Sequence, residues 1–193
     1  MSKLQSEKQK SLRKEDWETP DGLYNPLHEV FGFTIDLAAS EENTKTGYYV
    51  DEKLDFTRQS LKDILVLKTD IPGEVQNVNL SELRDQWCWC NPPYKKKGLG
   101  IWVEKLCAIP NVVALLPASL CTDWFLPIYS NFNYICLIAG RVVFKGAPST
   151  APFESVLVIK TRYMNAGMFD CLSLIGTTID LSQTIQHQKI VWS

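Results

Sequence analysis

The sequence predicts an α/β fold: a mostly parallel sheet with helices over its faces and an antiparallel strand at one edge. Three observations carry that expectation. Apolar runs of strand length, among them Trp87 to Cys90, Val112 to Leu116 and Val156 to Ile159, alternate along the chain with stretches of helical spacing. These runs are apolar throughout, as strands buried on both faces are. Near the C-terminal end, Tyr134 to Ala139, Gly140 to Phe144 and Glu154 to Lys160 follow one another closely, which argues for antiparallel pairing there.

Taken in order, Met1 to Glu15 is polar and charged and reads as a mobile arm before a single domain over 16–193. Trp17-Glu18-Thr19-Pro20 marks a helix start, with Thr19 as N-cap, Pro20 at the first helical position, and Leu23, Leu27 and Val30 repeating at helical spacing. Phe33 to Ala39 follows as a strand with Asp36 near its end; small residues Ala38, Ala39 and Ser40 let a ligand approach the backbone, and a helix can start at Ser40. Tyr48 to Val50 is a short strand closed by Asp51, with Asp55 in the loop beyond. Residues 61–85 contain one candidate strand, Ile64 to Leu67, and a turn at Ile71-Pro72-Gly73. Ile101 to Ile109 suits an amphipathic helix, Val112 to Leu116 a strand stopped by Pro117, and Thr122 to Tyr129 a helix broken or kinked at Pro127. The apolar stretches of 168–193 form a C-terminal extension without an assigned place.

The chain of 193 residues, 45% hydrophobic, can bury a good core. No apolar stretch is long enough for a membrane span and the N-terminus is not a signal peptide, so a cytoplasmic, membrane-free protein is expected. A net charge of −2 gives no global sign of nucleic-acid binding, so contact with DNA falls to a local patch, Lys95-Lys96-Lys97. Six cysteines and two histidines include only one close pair, Cys88-x-Cys90, which lacks zinc-knuckle spacing; the thiols read as reduced core residues and no metal is expected.

The run Trp87 to Cys90 stops at Asn91-Pro92-Pro93-Tyr94, and this turn is the candidate reactive edge, because open α/β sheets bind ligands where their strands end. The prolines fix their own φ and restrain the residues before them, which makes a stiff loop. There the Asn91 side-chain oxygen and the Pro92 carbonyl supply two adjacent acceptors and Tyr94 a flat wall, a set suited to a planar amine. Accepting the hydrogens of such an amine returns electron density to its nitrogen as it attacks. The plainer alternative is a strand-to-loop stop. Asp36 likewise suits either a ligand's amino or hydroxyl groups or the cap of a following helix. Asp55 is a weaker candidate for the same ligand.

The residues Trp17-x-Thr19-Pro20, Asp36-Leu37-Ala38-Ala39-Ser40 with Asn43 and Lys45, Asn91-Pro92-Pro93-Tyr94 with Trp102, Leu115-Leu116-Pro117, Gly140-Arg141 and Pro152-Phe153-x-Ser155 stand in an order that resembles the phage-type, Dam-like DNA N-6-adenine methyltransferases. The likeness runs from Trp17 to Lys160. It implies a Rossmann-like, class I S-adenosyl-L-methionine-dependent sheet. It also implies methyl transfer to the exocyclic amine of an adenine flipped out of double-stranded DNA, in a bacterial cell carrying phage or prophage genes. It makes Asn91, Pro92, Pro93 and Tyr94 catalytic, with Trp17, Thr19, Pro20, Asp36, Leu37, Ala38 and Ala39 at the cofactor. A GATC target follows from the family's name alone. Residues 61–85 are longer than the family's usual link and read as either a DNA-reading insert or a surface excursion. Rival readings are methylation of cytosine, of an RNA base or of a protein glutamine, and a catalytically inactive DNA-binding module.

Overall fold

The computed structural model describes residues 17–61, 64–71, 73–94 and 98–182. The expected arm 1–15, the Lys95-Lys96-Lys97 patch and the tail beyond Ser182 lie outside the described residues. Helix α1 (Asp21–Phe31) buries Tyr24, Leu27 and Phe31 along one face and ends at Gly32, whose φ of 66° lets its N–H reach the His28 carbonyl. Thr19 is not its N-cap. Pro20 holds that position with extended backbone and no side-chain cap, while Thr19 is buried just ahead of it.

Nine strands follow among the described residues: β1 (Phe33–Asp36), β2 (Tyr48–Tyr49), β3 (Ile64–Thr69), β4 (Val75–Asn79), β5 (Trp87–Cys90), β6 (Val112–Pro117), β7 (Tyr134–Ile138), β8 (Ser155–Lys160) and β9 (Gly176–Asp180). With them come α2 (Leu99–Leu106), α3 (Leu126–Asn131) and α4 (Ala166–Ile175). They form one sheet in the order β4-β3-β2-β1-β5-β6-β8-β7-β9.

A mostly parallel, Rossmann-like sheet with one antiparallel edge is overturned by this pairing. Only β1 with β2, β1 with β5 and β5 with β6 are parallel. The pairs β2–β3, β3–β4, β6–β8, β7–β8 and β7–β9 are antiparallel, so the sheet is mixed and mostly antiparallel. Connection length accounts for one of these pairs: β3 and β4 are joined through 70–74, too short for the crossover of a dozen or more residues that a parallel return needs. The pairs β6–β8 and β7–β9 are antiparallel across long connections, because β8 inserts between β6 and β7 and β9 adds outside β7.

Four further expectations change. No helix starts at Ser40; its N–H takes the Asn43 side-chain oxygen at 2.7 Å and the segment turns back toward β2. Residues 61–85 supply the β3–β4 hairpin, which extends the sheet. The helix expected over Thr122 to Tyr129 is displaced to α3, with Pro127 in its first turn, where a missing N–H costs nothing. Gly140 to Phe144 is not a strand; the nearest pairing is the single bridge Glu18–Lys145.

Both faces of the central strands are covered, which explains the alternation hidden inside the apolar runs. Cys88 and Cys90 pack with Val112, Ala114, Val103 and Leu106 on the α2 face, while Trp89 packs with Val113, Leu115, Leu27, Phe31 and Leu172 on the face of α1 and α4. Burial raises the Cys88 and Cys90 thiols well above their ordinary range, so both stay neutral core groups. Among the described residues no helix is long and apolar enough to cross a membrane.

Candidate active site

Strand β1 has a parallel neighbour on each side, β2 and β5. The chain leaves β1 toward one side and later returns on the other, so the loops that follow β1 and β5 diverge and leave a crevice at their carboxyl ends. A cavity of about 440 Å³ opens there. Its lining joins Asp36 at the end of β1, Asp51 after β2 and Asn91 after β5 with Trp17 from the chain's start. That volume lies within the roughly 300–1,000 Å³ usual for small-molecule sites.

Asp36 is 5% exposed. One of its carboxylate oxygens accepts the Ala38 N–H at 3.1 Å; the other has no hydrogen-bond partner among the described residues. Burial, eased by that N–H and by Lys45, raises its pKa to about 7. A buried carboxylate with one oxygen unused, on the wall of a cavity, is a site for a cationic or N–H-bearing ligand.

Asn91 is held from both ends. Its amide nitrogen donates to the Trp17 carbonyl at 3.0 Å, and its oxygen accepts from the Tyr94 hydroxyl at 2.8 Å. That hydroxyl also lies 3.0 Å from the Leu115 carbonyl, and burial keeps it protonated far above ordinary pH. The carboxamide therefore has one fixed orientation, with a lone pair of its oxygen left over.

Of the residues singled out in the sequence, Trp17, Thr19, Asp36, Ala38, Ala39, Asp55, Asn91 and Pro93 line the cavity. Pro20, Leu37, Pro92 and Tyr94 do not. Leu37 is fully buried, and Pro92 is buried too. Tyr94 meets Phe144 and Phe153 edge-on at centroid distances of 5.9 and 5.5 Å, and the same two rings stack on Trp17.

Asp55 is occupied by its own loop: it accepts from the Thr57 N–H and hydroxyl and pairs with Arg58 at 3.0 Å. Asp51, which closes β2, accepts from the Lys53 and Leu54 N–H groups and pairs with Lys68. Burial opposes its charge, yet Lys68 and the Leu54 N–H hold it below the usual carboxylate range. Lys45 of the lining reaches Asp21, which sits between Lys145 and Lys45; they lower its pKa to about 2. The sequence reading did not assign Phe56 to the site, nor Trp102 a role in it. The two rings stack at 5.3 Å beside the cavity and make an apolar wall. Their aromatic identity, five residues after Asp51 in one case and eleven after Asn91 in the other, was the available signal.

Among the described residues no group of three or more His, Cys, Asp and Glu side chains could hold a metal ion. No protein-family model matches this chain, and no curated protein matches it.

Proposed function

We propose that the chain is a DNA adenine N6-methyltransferase that uses S-adenosyl-L-methionine. The observation that carries this reading is the pairing, across one cavity, of an oriented carboxamide acceptor with a buried, half-satisfied carboxylate. The resemblance of the Asn91-Pro92-Pro93-Tyr94 turn and its flanks supplies the substrate and cofactor classes.

The cavity fits such a cofactor on its chemistry. S-adenosyl-L-methionine would supply a methyl group on a sulfonium cation, together with an ammonium. Asp36 would accept from the ammonium and thereby regain its negative charge, and the Phe56–Trp102 wall would take the flat base. Asn91 would accept one hydrogen of the adenine amine on its remaining lone pair. As the amine's electron pair formed the new N–C bond and the sulfonium S–C bond broke to release neutral S-adenosyl-L-homocysteine, positive charge would grow on the nitrogen, and the fixed Asn91 oxygen dipole would stabilise it more than it stabilises the resting substrate. Tyr94 holds Asn91 in that orientation through its hydroxyl. The extra proton on nitrogen then leaves to solvent.

The test is incubation of the protein with methyl-labelled S-adenosyl-L-methionine and unmethylated duplex DNA, followed by nucleoside analysis. Label in N6-methyl-2′-deoxyadenosine supports the reading. Label in N4-methylcytosine alone, or none with protein that binds the cofactor, overturns it.

A further inference from the structure

Arg84, Lys160 and Arg162 have no part in the cavity described above. They converge on a second one of about 710 Å³, which lies past the end of α2 where β5, β6 and β7 begin and β8 ends. This is the sheet edge opposite Asn91, a strand's length of roughly 13–20 Å away. Among the described residues no carboxylate lines it.

The balance of charge differs sharply between the two places. At the first cavity Lys45, Asp51 and Asp55 are all ion-paired, Lys45 sharing Asp21 with Lys145, Asp51 with Lys68 and Asp55 with Arg58. Among the described residues none of Arg84, Lys160 and Arg162 forms an ion pair, although acids outnumber bases by 22 to 20 in the chain. Lys160 is the informative member. It is half-buried, and its ammonium donates to the Cys107 carbonyl and to no other described group. An ammonium carries three donors, so two are left without a partner among the described residues, on the wall of the cleft. Burial accordingly pushes its pKa down. Beside it the Asn133 oxygen takes the Thr161 N–H at 2.9 Å, which leaves the Asn133 amide nitrogen as a further donor. A partly desolvated cation, two more at the rim and an amide donor, with no acid among them, form an anion site.

We propose that this cleft binds a phosphate-bearing ligand, with Lys160 as the inner anchor and Arg84 and Arg162 at the rim. The space exceeds what one phosphate fills, so the phosphate belongs to a nucleoside phosphate or to a stretch of nucleic-acid backbone. The proposal is independent of the methyl-transfer reading.

Amide NMR and calorimetry with pyrophosphate test it on the full chain. Pyrophosphate shifts the amides of Thr161, Arg162 and Asn133, and Lys160→Met weakens binding by about tenfold or more, as loss of a charge-assisted bond does. Arg162→Gln, at an exposed position that leaves the fold alone, weakens it too. Displacement of pyrophosphate by a single-stranded oligonucleotide identifies backbone as the source; displacement by a nucleoside triphosphate alone identifies a small molecule. Absence of the shifts, unchanged affinity in both variants, or displacement by neither competitor overturns the proposal.

Discussion

Replacing Asp36 by Asn separates what this side chain does for the fold from what it does for a ligand. Its pKa rises from 3.8 to about 7 through burial, so the folded protein holds a proton there that the unfolded chain has released. The sign follows directly: stability from this group is complete below the unfolded pKa near 4 and is lost as pH rises toward 7. A span of about 3 units at about 1.4 kcal/mol per unit makes the loss about 4 kcal/mol at most. Asn is isosteric, still accepts the Ala38 N–H and carries no charge. Asp36→Asn should therefore match the wild type near pH 4 and exceed it by about 2–4 kcal/mol above pH 7, measured by urea unfolding across that range. The same variant should lose most S-adenosyl-L-methionine affinity, whereas the wild type's affinity should climb with pH up to about 7 as Asp36 gives up its proton. A wild-type minus variant stability difference that stays flat from pH 4 to 8 would refute the buried-carboxylate argument. Full cofactor affinity in the variant would remove Asp36 from the site.

Asn91→Ala should lower kcat by about 10²–10³ with cofactor and DNA affinity little changed, because the lost acceptor acts as charge develops; single-turnover methylation measures it. Tyr94→Phe should lower kcat by about tenfold and stability by about 1 kcal/mol, since the hydroxyl that orients Asn91 is gone while the ring's packing stays; normal kcat in a folded variant would show that Asn91 needs no such restraint. Gly176→Ala should destabilise by about 1–3 kcal/mol in thermal unfolding, because an added Cβ would fall 1.9 Å from the Leu137 carbonyl oxygen on the neighbouring strand. Substituting Lys95, Lys96 and Lys97 by Gln should weaken binding to all DNA sequences alike and flatten its dependence on salt; an unchanged salt slope would show the patch makes no phosphate contacts.

The centre of the molecule was legible because burial on both faces leaves a local mark. The runs at β5, β6 and β8 are apolar throughout and each stands where the sequence put it. Strand β4 was not visible, since four of its five residues, Val75, Gln76, Asn77 and Asn79, are exposed at the sheet's edge and owe their conformation to pairing with β3 alone. Strand direction was also out of reach. Strand β8 inserts between β6 and β7, and nothing in the three runs themselves encodes which pair becomes neighbours. The false helix at Ser40 has a clear physical reason: 40–47 holds no apolar residue to bury, so capping signals had no packing to complete.

At the site, the difference between Asp51 and Asp55 shows what kind of information sequence lacks. Both acids follow β2, and either could face a ligand by position. Asp55 adopts φ 43°, a left-handed conformation uncommon outside glycine, and from there caps its own turn at Thr57. Asp51 instead bonds two backbone N–H groups and Lys68, a residue of β3, so it ties the loop after β2 to the antiparallel strand beside it. That tie rests on β3 pairing beside β2 with Lys68 opposite Tyr49, a register that composition could not reveal. Asp36 has no such partner, and its second oxygen is left to the cavity. Among three acids near one crevice, two are occupied in holding the loop that walls it; the third, unoccupied and deepest, is the one with binding energy still to give.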